Sequence, residues 1–392
     1  MLGGVPIGGG APVSIQTMTN THLDDLEGTL AQIDRVRRLG CDIIRVAVPT
    51  AASLENFGEV CRRSPLPVVA DIHFDHMLAL GALERGAAGV RVNPGNMRNL
   101  DYVREVARAA AKMGRVVRIG VNGGSLDPDV EKEYGRTPEG LVASALKYVD
   151  LFEAEGCHAL KVSLKSSSVL TTVAACRLFA EKSDVPLHLG VTEAGVPSRG
   201  IIKSAVGIGS LLLDGIGETI RVSLTCEPEA EVRAARGILE SCGLLEDGPE
   251  IISCPTCGRT KINLVPMAEA VEREVERLCS EGRVIQLKKV AVMGCEVNGP
   301  GEARDADVGI AGGKGQGILF KHGEKIKTLP EADLLEALLQ EIRNDLFGNP
   351  IQAPQLEKTH DTPPSSRDEG LLSCLAWRAK PSPLSKIGRA HV

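Results

Sequence analysis

The chain has 392 residues, 43% of them hydrophobic and 24% charged, with a formal net charge of -6. That balance excludes a mostly disordered chain, the acidic charge argues against a general nucleic-acid binder, and an aromatic content of 3% argues against a base-stacking surface. No apolar run approaches the ~20 residues of a membrane helix. The opening Met1-Leu-Gly-Gly stretch also lacks the basic and apolar regions of a secretory signal. A cytoplasmic enzyme with no membrane or nucleic-acid partner is expected.

In chain order, short β-branched runs recur at 13–18, 42–48, 67–73, 89–93, 116–122, 159–164, 186–192 and 219–225. Helical stretches rich in Ala, Leu, Glu and Arg separate them. One runs from Leu26 to Leu39 and stops at Gly40, and another runs from Asp101 to Met113 and stops at Gly114. Strand–helix alternation repeated eight times predicts a (β/α)8 TIM barrel over residues 1–240. The rival doubly wound sheet lacks a G-x-G-x-x-G turn after its first strand.

The pattern changes after about residue 245. A strand at 250–253 leads into Cys254-Pro-Thr-Cys257, then a helix over 267–278 and a strand at 289–293. A glycine-rich loop from Gly294 to Glu302, strands near 307–311 and 317–321, and a helix over 331–346 follow. These elements predict a small α+β domain with antiparallel character over 245–349. Residues 350–392 turn to Pro, Ser and charge and are expected to be disordered. The last six, Ile387-Gly-Arg-Ala-His-Val392, read like translated adapter sequence, so the tail is expected to be an artefact. The first strand starts unusually near Met1, so the N-terminus is expected to be incomplete.

Strand periodicity carries the sharpest chemical signal. Arg45, Arg91, Arg118, Lys161 and Arg221 each sit between two β-branched or aliphatic residues. Period-two geometry sends those neighbours outward against the helices and the cation inward. Any one such cation could be an internal salt-bridge partner, but the inward carboxylates identifiable, Asp71 and Glu193, are too few for five. Unpaired buried cations cost several kcal/mol each, so they call for an anionic ligand, most simply a phosphate or diphosphate. At the strand C-termini, where a barrel places its active site, stand Asn20, His73, Asn93, Asn122, Lys165, His188, Glu193 and Ser223. Glu193 is the best general acid–base candidate among them, with His73 and His188 as acid–base groups or anion donors. Lys161 or Lys165 forming a Schiff base would make the protein an aldolase-like lyase instead.

Of the 11 cysteines, most lie in apolar or helical contexts and read as buried, reduced side chains. Cys254 and Cys257, with Cys295 in the later glycine-rich turn, offer three soft ligands. A structural zinc would need a fourth Cys or His, with Cys279, Cys242 or His322 poorly placed for it. An iron–sulfur cluster could take an oxygen ligand from Glu302. Spacing alone leaves both open, as it leaves a zinc module for partner binding.

The motifs Gln16-Thr-Met-Thr-Asn-Thr21, Val69-Ala-Asp-Ile-His-Phe74, Arg91-Val-Asn-Pro-Gly-Asn96, Arg118-Ile-Gly-Val-Asn122, His188-Leu-Gly-Val-Thr-Glu-Ala-Gly195, Cys254-Pro-Thr-Cys257 and Gly294-Cys-Glu-Val-Asn-Gly-Pro-Gly-Glu-Ala303 occur in order. Together they resemble the bacterial 4-hydroxy-3-methylbut-2-enyl diphosphate synthases of the methylerythritol phosphate route to isoprenoids, over about residues 3–348 and without the long insert of the plant-type enzymes. The resemblance implies two-electron reductive ring opening of 2-C-methyl-D-erythritol 2,4-cyclodiphosphate with loss of water. It implies a [4Fe-4S] cluster on Cys254, Cys257, Cys295 and Glu302, and electrons from flavodoxin or ferredoxin. Glu193 and Glu302 would be catalytic, Asn298 would join the inward cations in binding substrate, and the cluster domain would cap the partner's barrel in a homodimer.

Overall fold

A computed structural model describes residues 1–347 apart from 74, 94, 97–98, 246–247 and 296–302. The tail expected over 350–392 lies outside the described residues, as do Asn298 and Glu302.

The predicted barrel is present. Parallel strands β1 (Ser14–Met18), β2 (Ile43–Ala47), β3 (Val68–Asp71), β4 (Gly89–Val92), β5 (Val116–Asn122), β6 (Leu160–Lys165), β7 (His188–Leu189) and β8 (Thr219–Ile220) form one sheet. In that sheet β1 pairs with β8, and β7 pairs with β8. The ring closes between β6 and β7 through a parallel bridge, Val162 with Leu187, and a 2.8 Å bond from the Val162 N–H to the Pro186 carbonyl. The last two strands are far shorter than the sequence suggests. Gly190 follows β7 where the backbone lies so near β8 that a Cβ would sit 2.5 Å from the Arg221 carbonyl oxygen.

Helices α1 (Leu26–Arg38), α2 (Ser53–Arg63), α3 (His76–Glu84), α4 (Leu100–Met113), α5 (Pro128–Tyr134), α6 (Pro138–Ala154), α7 (Val169–Ala180), α8 (Pro197–Leu213) and α9 (Pro228–Ser241) connect the strands. Their starts carry readable signals: the Asp25, Asn99 and Ser168 side chains accept backbone N–H groups of α1, α4 and α7. Gly114 closes α4 in the left-handed conformation, at φ +61°. The outward strand residues, such as Ile44, Val90, Val117, Ile119, Val162 and Leu164, pack with the helices in one large core. Inside the barrel, Leu2 joins Ile43, Val69, Ala88 and Val116 in a small apolar floor.

The C-terminal part contains β9 (Glu250–Ser253), α10 (Leu264–Ser280), β10 (Val284–Ile285), β11 (Lys289–Met293), β12 (Val308–Gly312), β13 (Gln316–Lys321), β14 (Glu324–Pro330), α11 (Glu331–Asn344) and β15 (Leu346–Phe347). Its main sheet runs β14-β13-β12-β11-β9. The antiparallel character expected is present in β12–β13–β14 and the small β10–β15 ladder. The strands that lead into the cysteine motifs are parallel: β9 with β11, and β11 with β12. The reason is connectivity, since α10 carries the chain back to the starting edge between β9 and β11. β14 escaped sequence reading because it is an exposed edge strand, Glu324-Lys-Ile-Lys-Thr, whose charges also discourage pairing with another sheet.

Candidate active site

Strand register brings the inward charges together. Asp71, Arg91, Arg118 and Lys161 are direct neighbours across β3, β4, β5 and β6. Two glycines make room for long side chains. A Cβ on Gly120 would lie 2.8 Å from Arg91 Nε, and one on Gly190 would lie 2.6 Å from Lys165 Nζ. Arg45, Arg91, Arg118, Lys161 and Lys165 are all buried, Lys161 to 1% exposure, and Arg221 is mostly buried. All five cations expected inside are there, and Lys165, expected at the mouth, is buried with them.

Anions are scarce in this space. Asp71 stands 3.9 Å from Arg45, 3.6 Å from Arg91 and 3.3 Å from His73. Glu231, on α9, stands 3.6 Å from Arg221 and also accepts from the Thr17 hydroxyl at 2.6 Å and the Leu224 N–H at 2.9 Å. Among the described residues, Arg118, Lys161 and Lys165 make no ion pair. Arg118 instead donates to His188 Nε2 at 3.2 Å, and Lys161 donates to Gln16 Oε1 at 3.5 Å. Burial and the surrounding guanidinium groups push Lys161 down to about 7 and hold Lys165 and His188 well below their usual values. Asp71 is driven the other way: although burial opposes ionisation, Arg45, His73 and Arg91 keep its carboxylate charged. A neutral His188 that accepts at Nε2 carries its proton on Nδ1, which has no partner. Arg91 Nε, Arg118 Nε, Arg221 Nε and Gln16 Nε2 are likewise buried without partners. Orphaned donors and unpaired cations facing one interior fit a ligand with several anionic oxygens.

The remaining candidates sit at the open end. His73 is exposed and approaches Asn96 at 3.5 Å, Asn122 and Ser223 are half-buried, and Asn93 is buried with its amide on Ser125. Asn20 is tied to Gln32 and Glu227. Glu193 is not an inward carboxylate as expected. It is exposed, in a left-handed turn at φ +53° just past β7. Sequence reasoning missed Glu231, because one more acid on an amphipathic helix gives no signal, and it left Gln16 without a role.

The thiols gather at the end of the second sheet. β9 and β11 run side by side and finish together, with Ser253 opposite Val292. Cys254 follows one strand and Cys295 follows the other, two residues after Met293. Their turns are stitched together: the Gly294 N–H donates to Cys254 Sγ at 3.1 Å, and the Lys261 N–H donates to the Gly294 carbonyl at 2.9 Å. Cys257 is exposed, and the backbone and side-chain donors of Arg259 lower its thiol toward the thiolate a metal needs. Among the described residues no three Cys, His, Asp or Glu side chains are close enough together to hold an ion. The extra zinc ligands considered lie elsewhere. Cys279 is near the end of α10 beside Gly248, Cys242 is at the end of α9, and His322 is in the β13–β14 turn near Asp307. Three sulfur donors on adjoining turns, one accepting a backbone N–H, fit an iron–sulfur cluster better than a Cys/His zinc site.

Fold and site define a barrel enzyme with a cation-lined interior and a thiol-bearing accessory sheet. The profile of the GcpE TIM-barrel domain matches residues 1–236, and that of the GcpE protein C-terminal domain matches residues 250–344. The chain belongs to the GcpE family. It is 50% identical over 346 residues to the 4-hydroxy-3-methylbut-2-en-1-yl diphosphate synthase (flavodoxin) of Geobacter sulfurreducens, covering 88% of this chain and 96% of that protein. To the enzyme of the same name from Clostridium tetani it is 48% identical over 339 residues, covering 86% and 95%. Among solved structures, Yersinia pestis dihydropteroate synthase aligns over 59% of this chain and 93% of that one at 13% identity, with a TM-score of 0.42.

Proposed function

We propose that this chain is a 4-hydroxy-3-methylbut-2-en-1-yl diphosphate synthase, with a substrate barrel over 1–240 and a cluster domain over 245–349. It would open the ring of 2-C-methyl-D-erythritol 2,4-cyclodiphosphate using two electrons and two protons, and release water. The observation that carries this reading is the imbalance inside the barrel: six cations face two carboxylates among the described residues. A cyclic diphosphate supplies the missing charge.

The placement of each residue supports a task in that reaction. Asp71 holds Arg45 and Arg91 in position, and Glu231 holds Arg221. Arg118, Lys161 and Lys165 are left to grip phosphate oxygens, with the His188 Nδ1 proton as a further donor. When the ring C–O bond breaks, charge accumulates on the departing phosphate oxygen, and these fixed cations stabilise it without reorganising. His73, Asn122, Ser223 and Asn298 would line the mouth. Glu193, exposed there, is suited to pass a proton to the departing hydroxyl. Cys254, Cys257, Cys295 and Glu302 would hold a [4Fe-4S] cluster. That cluster supplies electrons one at a time and a Lewis-acidic iron for a substrate oxygen. The relatives' names support flavodoxin as the electron source, with ferredoxin as the alternative. The working unit would be a cytoplasmic homodimer in which the cluster domain caps the partner's barrel.

The test is anaerobic incubation of reduced, iron-loaded protein with the cyclic diphosphate, followed by phosphorus NMR. Release of linear 4-hydroxy-3-methylbut-2-enyl diphosphate is expected. A cyclic diphosphate left intact by iron-loaded, reduced protein would refute the assignment.

A further inference from the structure

Position 16 on β1 points into the barrel, and the Gln16 side chain is 1% exposed. Its inward neighbours on that strand are satisfied: the Ser14 hydroxyl bonds Thr219, and Met18 Sδ accepts from the Arg45 guanidinium at 3.0 Å. Gln16 is satisfied at one end only. Oε1 accepts from Lys161 Nζ at 3.5 Å, the one hydrogen bond that ammonium makes among the described residues. Nε2 is buried and has no partner. A side chain present only to fill the space beside Ile43, its register neighbour, would do so better as Met or Leu, because a buried amide donor without an acceptor is costly. The amide therefore holds a lysine that has no carboxylate and offers a second donor to the same interior.

We propose that Gln16 is a binding residue of the interior anion site: its carbonyl fixes the Lys161 ammonium, and its N–H donates to a phosphate oxygen of the ligand. This rests on the reading of the barrel interior as a diphosphate site. The neutral amide is the point of the choice. A carboxylate would hold Lys161 equally well but would neutralise it and repel the anion.

The experiment compares holoprotein of the natural sequence with Gln16→Met and Gln16→Glu. It measures the affinity for inorganic pyrophosphate, the thermal midpoint, and kcat and KM for the cyclic diphosphate. Losing one donor pair should weaken pyrophosphate about tenfold in Gln16→Met, and adding a like charge should weaken it about a hundredfold in Gln16→Glu, with the loss falling more on KM than on kcat. A space-filling role predicts instead that Gln16→Met keeps full affinity and that any loss follows the thermal midpoint. Either result overturns the proposal. If Gln16→Glu does not fold, Gln16→Met decides alone. Failure of the natural protein to bind pyrophosphate would remove the diphosphate reading itself. Binding by the natural protein that neither substitution weakens would remove only the role of Gln16.

Discussion

The barrel interior and the cysteine turns both lie at or near the ends of parallel strands, and they hold their chemistry by opposite means. In the interior, register fixes the charged groups: Arg91, Arg118 and Lys161 occupy one row of neighbouring strands and are buried. That placement is destabilising, because burial and mutual repulsion oppose every charge in the row. The cysteine turns carry no comparable row of buried charges among the described residues. Cys257 is exposed, Cys254 accepts the Gly294 N–H and packs against the sheet, Cys295 is buried, and the sheet beneath has its own apolar core of Val290, Val292, Val308 and Ile310. One region crowds buried charges together, and the other sets thiols at the ends of strands whose sheet has an apolar core.

That contrast can be sharpened by uncoupling the two regions. The largest effect is expected from Cys257→Ser. Iron content should fall from the about four atoms per chain that a four-iron cluster requires, and turnover should be lost. Pyrophosphate affinity should stay at the natural level, because the interior does not depend on the thiol. Joint loss of iron and pyrophosphate binding would break the comparison.

A smaller effect is expected from pH. Lys161 is pushed down to about 7 from a usual 10.5. Between those values the unfolded chain binds a proton that the folded chain does not, so ligand-free stability should rise with pH across that window. Bound anion favours the charged lysine, so pyrophosphate affinity should fall several-fold over the same range. Calorimetry against pH checks both trends, and both should flatten in Lys161→Met. A slope unchanged in that variant would assign the effect to another group.

The interior was legible in the sequence because a strand writes its two faces in alternate letters. A cation between two aliphatic residues, as at Arg45 or Arg118, can only face inward once the barrel is granted. The barrel itself was legible as eight repeats of strand and helix. What escaped were features without a local pattern. Glu231 reaches Arg221 from a helix, so no strand periodicity marks it. Glu193 was expected to face inward directly after its strand, but the strand ends at Leu189 and Glu193 stands exposed in a left-handed turn. The parallel pairing of β9 with β11 was hidden as well, because pairing direction depends on where α10 delivers the chain and not on either strand's letters. The cysteine spacing suggested three soft donors but not a metal; in the fold Cys254 and Cys295 stand on adjoining turns, while Cys242, Cys279 and His322 lie elsewhere.

The central claim is that the buried cations serve a ligand and not the fold, and Arg118→Met tests it most directly. Arg118 is fully buried and bonds only His188 among the described residues. Replacing an uncompensated buried charge with an apolar side chain of similar length should stabilise the ligand-free protein by about 1–4 kcal/mol. The same change should weaken pyrophosphate by about tenfold to a hundredfold, as expected for a lost charge-assisted contact. These opposite movements are the expected result, read from one denaturation curve and one titration. A variant that unfolds more easily and binds pyrophosphate as tightly as before would contradict it.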